Sequence, residues 1–148
     1  MTKMSIEDVA GWILSSVAAG ARGLSLSGGE PLHPSHMPSL RLAIESARRS
    51  VSFDVLAFTG YTGKELAAMD LAGIDLLIAG PYERSMHHDS GLISSENQEL
   101  VRLTSAFSDV PDAWFWESER AMEVILEDGI IHVTGLFSLE EVHRIIRG

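Results

Sequence analysis

The sequence contains no cysteine and is poor in basic residues. Its 148 residues hold 11 Lys plus Arg against 21 Asp plus Glu, which gives a formal net charge of -10. The absence of thiols excludes disulfides, cysteine-ligated zinc and thiol catalysis from these residues. The acidic balance disfavours nucleic acid as a partner, because a surface of that sign repels a phosphate backbone.

Long apolar runs are also missing. No stretch reaches the roughly 20 residues of a membrane span, and the first five residues lack the apolar core of a signal peptide. We therefore expect a cytoplasmic protein without a membrane partner. Apolar residues make up 45% of the chain, an ordinary fraction for a globular protein, so residues 1–148 are predicted to form a single domain with its own core.

The order of the predicted elements indicates an α/β fold. Ser5 is a predicted helix N-cap, and strands are predicted over residues 23–27, 51–58 and 74–78 with helices between them. This βαβαβ order predicts parallel strands joined by right-handed crossovers.

The regular alternation of predicted strands and helices ends after Gly80. Residues 83–95 are predicted to form a polar loop, and residues 96–107 fit either a helix or a strand. Residues 122–134 give the clearest hairpin signal in the chain, because two apolar runs flank a Glu-Asp-Gly turn. Ser138 is the predicted N-cap of a final helix that ends at Arg147.

Residues 23–34 carry the strongest site signal. The alternating segment Gly23–Ser27 ends abruptly in Gly28-Gly29-Glu30-Pro31. Glycines let the backbone approach a ligand and adopt positive φ, and α/β proteins bind ligands at the carboxyl ends of their parallel strands. From composition alone, an ordinary turn with an exposed glutamate is the alternative interpretation.

The run Leu26–Leu32 resembles the Ser-Gly-Gly-Glu-Pro motif of the radical S-adenosylmethionine enzymes. It looks most like the activating-enzyme branch that serves anaerobic ribonucleotide reductase and other glycyl-radical enzymes. Four further segments fit that branch in order: Phe58–Thr62 with Glu65-Leu66, Asp75–Tyr82, Ser94–Gln98 and Ile131–Leu136. Several weak motifs in register are more specific than any one of them.

The resemblance implies an incomplete (β/α) barrel. The Gly-Gly-Glu-Pro strand is the second strand of the family fold, so we expect a barrel-like parallel sheet that lacks its first βα unit and ends in a hairpin and a helix. The family binds a 4Fe-4S cluster through a Cys-x3-Cys-x2-Cys loop, which this sequence lacks. Either the sequence is a shortened form of a complete enzyme, or it is a natural protein that kept the scaffold without the chemistry. In both cases we predict no radical chemistry from these residues.

The resemblance assigns a cofactor-binding set, but no catalytic residue and no metal ligand. One group would bind the amino group of S-adenosylmethionine, a second would line the same pocket, and a third would lie near the nucleoside. These are, respectively, Gly28, Gly29 and Glu30; Thr59 and Tyr61; and Ser95 and Asn97. Ala79 departs from the pattern, because many relatives have Asp before the Gly-Pro that follows this strand.

The implied partner is a glycyl-radical enzyme or reductase, and two other functions stay open. One is a non-enzymatic pseudoenzyme module that binds S-adenosylmethionine or a nucleoside, or docks onto a partner. The other is a metal-dependent hydrolase that uses His33, His36 and His87, although exposed loop histidines explain these residues more simply. A sheet that begins at its second strand would also leave an uncovered edge near Leu24 and Leu26, which predicts self-association.

Overall fold

The computed structural model describes residues 4–119, 122–127 and 130–135, which form a mixed α/β fold. Within these ranges, four helices and six strands alternate with loops and one 3-10 turn at Arg84–Met86. The helices are α1 Ile6–Ala18, α2 Met37–Arg48, α3 Gly63–Leu66 and α4 Asp112–Glu117. The strands are β1 Gly23–Leu26, β2 Asp54–Thr59, β3 Leu76–Ala79, β4 Glu99–Arg102, β5 Met122–Glu127 and β6 Ile130–Gly135.

Strands β1 to β4 form one sheet in the order β1-β2-β3-β4. The first three strands are parallel, as predicted, with Leu24 opposite Val55 and Ala57 opposite Leu77. The fourth strand is antiparallel to β3. The sheet is open and does not close on itself, so the barrel-like curvature that the resemblance implied is not confirmed.

The direction of β4 follows from where its connection is anchored. A parallel strand needs a crossover, usually a helix, but the described connection from β3 to β4 contains only the short 3-10 turn. Its last residues bind the carboxyl end of β3, since Asn97 Nδ2 donates to the Pro81 carbonyl at 2.7 Å and Gln98 Nε2 donates to the Gly80 carbonyl at 3.1 Å. A strand that starts at this end can only run back along β3.

Helices cover one face of the sheet. Helix α1 begins in a capping box, in which Asp8 N donates to Ser5 Oγ at 3.1 Å and Ser5 N donates to Asp8 Oδ2 at 3.2 Å. The predicted start of this helix is therefore confirmed. Helices α1 and α2 pack on the sheet to form the larger core, whose fully buried members include Ile44, Val55 and Leu77.

A smaller core lies on the other face of the sheet. Leu76 and Ile78 of β3 pack there against Ile93 and against Phe115 of α4. Strands β5 and β6 pair antiparallel, which confirms the predicted hairpin. The predicted helix from Ser138 to Arg147 lies outside the described residues. Within the described part of the chain, no helix has both the length and the apolar character needed to cross a bilayer.

Candidate functional site

The tips of β1 and β2 are joined through the carboxylate of Glu30. Gly28 and Gly29 have φ values of 81° and 63°, a left-handed conformation that glycine adopts without steric cost. The turn brings Glu30 to the end of β2. There its Oε1 accepts hydrogen bonds from the Leu32 amide at 3.0 Å and the Thr59 hydroxyl at 2.8 Å, while its Oε2 accepts one from the Gly60 amide at 2.9 Å.

These three hydrogen bonds fix the carboxylate without saturating it. A carboxylate has about four acceptor positions. Two donors meet Oε1 of Glu30 and one meets Oε2. Oε2 therefore keeps room for one more donor, and Glu30 is only partly buried. This geometry suits the capture of one N–H or ammonium group from a ligand.

Thr59 is the buried end of β2 and links Glu30 to the next turn. Its side chain is 5% exposed, and its Oγ1 accepts a hydrogen bond from the Tyr61 amide at 3.2 Å while it donates to Glu30. Thr59 therefore contacts Glu30 directly where the two strand tips adjoin. Tyr61 contributes its backbone here, and its side chain packs against the larger core.

The start of α3 carries a second fixed carboxylate. Hydrogen bonds from the Thr62 amide and then from the Thr62 hydroxyl, at 2.8 and 2.7 Å, hold the pKa of Glu65 below its ordinary value of 4.5. The carboxylate form is therefore favoured in the folded chain. Its contribution to stability is present above the ordinary pKa and is lost as the pH falls through the lowered one.

A second cluster lies at the tip of β3. Besides the bonds from Asn97 and Gln98 to the β3 carbonyls, Gln98 Oε1 accepts from the amides of Ser94 and Ser95 at 3.0 and 3.2 Å. Ser95 is fully buried, and its Oγ accepts from the Glu83 amide at 3.3 Å. This turn therefore binds the residues that leave β3.

A cavity of about 160 Å³ lies between the ends of β2 and β3. Small-molecule sites usually measure roughly 300–1,000 Å³, so this cavity has room for part of a ligand. The buried Oδ1 of Asn97 has no hydrogen-bond partner within the described residues. The cavity is lined by Thr62, Gly63, Ala79, Gly80, Pro81, Glu83, Asn97 and Glu99.

A larger cavity of about 410 Å³ opens on the sheet face opposite α1 and α2. It is lined by Ser25, Ser27, Leu56, Phe58, Leu92 and Ser94. Its residues Ser27 and Phe58 directly precede Gly28 and Thr59, so the cavity reaches the tips that Glu30 joins. Hydroxyl groups beside an aromatic ring suit a ligand with a flat apolar ring and a polar edge.

The structure divides the predicted site residues into two groups. Gly28, Gly29, Glu30, Thr59 and Tyr61 lie at the adjoining tips of β1 and β2, whereas Ser95 and Asn97 lie at the tip of β3.

Three contributors were not predicted. The amides of Leu32 and Gly60 fix Glu30, and sequence patterns carry no signal for a backbone donor. Gln98 makes three hydrogen bonds at the tip of β3. Gln98 belongs to the Ser94–Gln98 motif. Its side chain carries both a donor and an acceptor, and this feature could have identified it from the sequence.

The histidines within residues 4–119 do not form the ligand set that a metal-dependent hydrolase needs. His33 Nδ1 contacts Ser35 Oγ at 2.8 Å, and His87 Nε2 lies 3.0 Å from Asp89 Oδ1. In residues 4–119, whose side chains are described, no three His, Cys, Asp or Glu side chains form a group that could hold a metal ion.

Comparison with known families identifies one match that covers most of the chain. A family model described as a 4Fe-4S single cluster domain matches residues 3–101. This range contains β1 to β3, nearly all of β4 and both strand-tip clusters. No solved structure matches the chain.

Several curated proteins are similar to the chain, and the three described below share one name. The anaerobic ribonucleoside-triphosphate reductase-activating protein of Escherichia coli strain K12 is 30% identical over 84 residues, 54% of each chain. Its namesake in Salmonella typhimurium is 35% identical over 88 residues, 55% of this chain and 56% of that protein. The protein of the same name in Vibrio cholerae is 35% identical over 89 residues, which are 56% of this chain and 57% of that protein. The chain thus spans about half the length of the curated relatives it matches.

Proposed function

The chain belongs to the 4Fe-4S single cluster domain family, and on that premise we propose that it is a radical S-adenosylmethionine activating-enzyme-like protein, catalytically incomplete in these residues. It binds S-adenosylmethionine, or a related nucleoside, at the carboxyl ends of its parallel strands. The observation that carries this proposal is the Glu30 carboxylate, which three donors orient and which keeps one acceptor position open.

The amino group of the ligand binds Glu30. An ammonium donates a charge-assisted hydrogen bond to a carboxylate, which is about twice as strong as a neutral one. Because the strand tips already orient Glu30, binding costs little side-chain ordering. Gly28 and Gly29 add no side chain that would block this approach, since open space surrounds the position of a Cβ at either residue.

The nucleoside part of the ligand occupies the cavity that begins at Ser27 and Phe58. Its volume of about 410 Å³ is in the range of small-molecule sites. The unpartnered Oδ1 of Asn97 offers a further acceptor at the β3 tip. Ser95, which is buried and bonded to Glu83, supports that turn without reaching the ligand.

The iron–sulfur cluster that the family description names does not fit these residues. Such clusters are held by cysteine thiolates, and the 148 residues contain none. We derive no reductive step from the chain for this reason, and we assign it binding rather than radical chemistry.

We also propose a reductase-like protein as the partner. The relatives are named as activating proteins of an anaerobic ribonucleoside-triphosphate reductase. A chain that binds such a reductase without a cluster of its own would act as a docking module, which is the non-enzymatic alternative. Sedimentation of the chain with a purified anaerobic reductase tests this partner.

Isothermal titration calorimetry with two ligands tests the binding site. S-adenosylmethionine carries the amino group of its methionine part, whereas 5′-methylthioadenosine lacks that amino group. Replacing Glu30 by Gln removes the charge-assisted bond, worth about 1.5–3 kcal/mol, so we expect Glu30→Gln to weaken S-adenosylmethionine binding by about 10- to 100-fold. Binding of 5′-methylthioadenosine should change less than about threefold, because no amino group is lost.

Glu45→Gln is the matched control. Glu45 is exposed on α2, where it pairs with Arg41 on the surface, and we expect this variant to bind both ligands as the parent chain does. Equal weakening of both ligands by Glu30→Gln would contradict the assigned contact. A parent chain that binds neither ligand but sediments with the reductase would replace the ligand-binding proposal by the docking alternative.

A further inference from the structure

A loop segment forms one wall of the cavity on the sheet face opposite α1 and α2. Its residues Leu92 and Ser94 line that cavity. Helix α4 holds the segment at one end, where the Leu92 amide donates to the Phe115 carbonyl at 2.8 Å. At the other end, the amides of Ser94 and Ser95 donate to a single side-chain oxygen, Oε1 of Gln98, at 3.0 and 3.2 Å. One side chain therefore fixes this end of the wall.

The same side chain fastens the wall to the tips of the parallel strands. Gln98 Nε2 donates to the Gly80 carbonyl at 3.1 Å, and the Gly80 amide donates to the Thr59 carbonyl at 3.0 Å. The Thr59 hydroxyl in turn donates to Glu30 at 2.8 Å. A continuous series of hydrogen bonds thus joins the cavity wall at Ser94 to the carboxylate at the strand tips.

Glutamine is suited to this position because its side-chain amide carries both an acceptor oxygen and N–H donors. The backbone amides of Ser94 and Ser95 can only donate, and the carbonyl of Gly80 can only accept. These partners determine which end of the Gln98 side chain faces which group. Glutamate would supply acceptors alone, and asparagine carries the same groups on a shorter side chain.

We propose that Gln98 is a positioning residue for the nucleoside part of the ligand, an inference that rests on the proposed function. Among the described residues, those that line the cavity do not include Gln98, so it acts through Leu92 and Ser94. It keeps this wall at a fixed place relative to Glu30, which binds the amino group of the same ligand. Without the Gln98 acceptor, the ligand has to order the segment when it binds. Ordering the backbone of one residue corresponds to about a 5- to 30-fold weaker affinity.

Isothermal titration calorimetry of Gln98→Met with S-adenosylmethionine and 5′-methylthioadenosine tests this role. Methionine has a similar length and removes both the acceptor and the donor. Because both ligands contain the nucleoside, we expect both dissociation constants to rise by a similar factor, about 5- to 30-fold. This pattern differs from that of Glu30→Gln, which should weaken mainly the binding of S-adenosylmethionine.

Gln98→Glu is the conservative variant. Glutamate keeps an acceptor for the amides of Ser94 and Ser95, but it loses the donor to the Gly80 carbonyl. We expect the melting temperature to fall by about 3–10 °C, because that carbonyl is left without its hydrogen bond. Both dissociation constants should nevertheless stay within about threefold of the parent values, since the wall keeps its acceptor.

Thr104→Val controls for a loss of stability alone. The Thr104 hydroxyl donates to Asp75 Oδ1 at 2.8 Å, at the opposite end of the sheet. Its removal should lower the melting temperature by a similar amount and leave both dissociation constants unchanged. Circular dichroism establishes a temperature at which every variant is folded. Gln98→Asn, with the same expected rise in both constants, replaces Gln98→Met if the methionine variant does not fold.

The outcomes separate this inference from the proposed function. A folded Gln98→Met chain that binds both ligands as tightly as the parent would overturn the positioning role and leave the proposed function intact. Weaker binding of S-adenosylmethionine alone would also overturn it, because Gln98 would then act on the amino group and not on the cavity wall. A parent chain that binds neither ligand would overturn the proposed ligand site and this inference together.

Discussion

At the scale of single residues, the three donors to Glu30 restrict it in different ways. The Leu32 amide closes the turn after β1, while the Thr59 hydroxyl and the Gly60 amide attach the carboxylate to β2. Two strand tips are thereby fixed relative to each other by one side chain. The proposed ligand therefore needs little reordering of Glu30 on binding, which favours affinity from few polar groups.

Thr59→Val tests this link. Valine keeps the shape of the buried side chain but removes the hydroxyl, which leaves the Tyr61 amide without its acceptor and Glu30 with two donors. We expect the free energy of unfolding to fall by about 1–3 kcal/mol. Urea denaturation of the purified chain measures the change.

Thr59→Ser is the matched control for that prediction. Serine retains the hydroxyl and loses one methyl group, which corresponds to about 0.8 kcal/mol. The hydroxyl explains the role of Thr59 only if the serine variant is the more stable of the two. A serine variant that loses as much stability as the valine variant would show that packing of the methyl group matters instead.

At the scale of elements, features that local sequence signals determine were predicted better than features that depend on distant side-chain contacts. The N-cap of α1 and the hairpin of β5 and β6 depend on residues near in sequence, and the parallel direction of β1 to β3 follows from the βαβαβ order of locally marked elements. All three predictions are confirmed. The direction of β4 depends on side-chain bonds from Asn97 and Gln98 to carbonyls about 16 to 18 positions earlier. Residue propensities and hydrophobic periodicity do not register such bonds. Residues 96–107 therefore fitted a helix as well as a strand.

The same distinction applies to the candidate site. The glycine turn and the position of Glu30 at a strand tip were predictable, because residue types mark the end of a strand locally. The backbone donors from Leu32 and Gly60 were not, since every residue type except proline supplies an amide. Sequence thus located the acceptor, and the structure identifies its partners.

The contact between Gly91 and α4 gives a prediction at this scale. A Cβ at Gly91 would lie 2.3 Å from the Phe115 carbonyl oxygen, and the residue has a φ of 66°. Gly91→Ala must therefore displace α4 from the smaller core as well as strain the backbone. We expect a loss of about 2–5 kcal/mol in unfolding free energy, which combines left-handed strain with overpacking.

Gly29→Ala separates the two causes. Gly29 has a similar φ of 63°, but nothing lies within 4 Å of the position of its Cβ. Its variant should lose only the strain, about 1–2 kcal/mol. Thermal or urea denaturation of both variants gives the comparison, and losses of the same size would mean that α4 yields to the added methyl group without cost.

At the scale of the whole molecule, polar side chains connect the elements at both ends of the sheet. Glu30 acts at the carboxyl end of the parallel strands. Asp75 acts at the opposite end, where its carboxylate binds the Arg48 guanidinium of α2, the Val55 amide of β2 at 2.7 Å and the Thr104 hydroxyl at 2.8 Å. Glu30 follows β1 and Asp75 directly precedes β3, so the two acids lie at opposite ends of the parallel strands. The proposed ligand contact and the link between α2, β2 and β3 therefore belong to different carboxylates.

Asp75→Ala should destabilise the whole fold. Asp75 is 6% exposed, and its removal leaves the Val55 amide, the Thr104 hydroxyl and the partly exposed Arg48 guanidinium without their acceptor, which together costs about 3–5 kcal/mol. Asp70→Ala is the matched comparison: Asp70 also binds an arginine, Arg41, but its side chain is 65% exposed. A surface pair contributes about 0–1 kcal/mol and is screened by salt.

Urea denaturation at low and high ionic strength measures both variants. We expect a large, salt-insensitive loss of unfolding free energy for Asp75→Ala and a small loss for Asp70→Ala that disappears at high salt. If both variants lost the same stability, burial of Asp75 would not be what holds α2, β2 and β3 together.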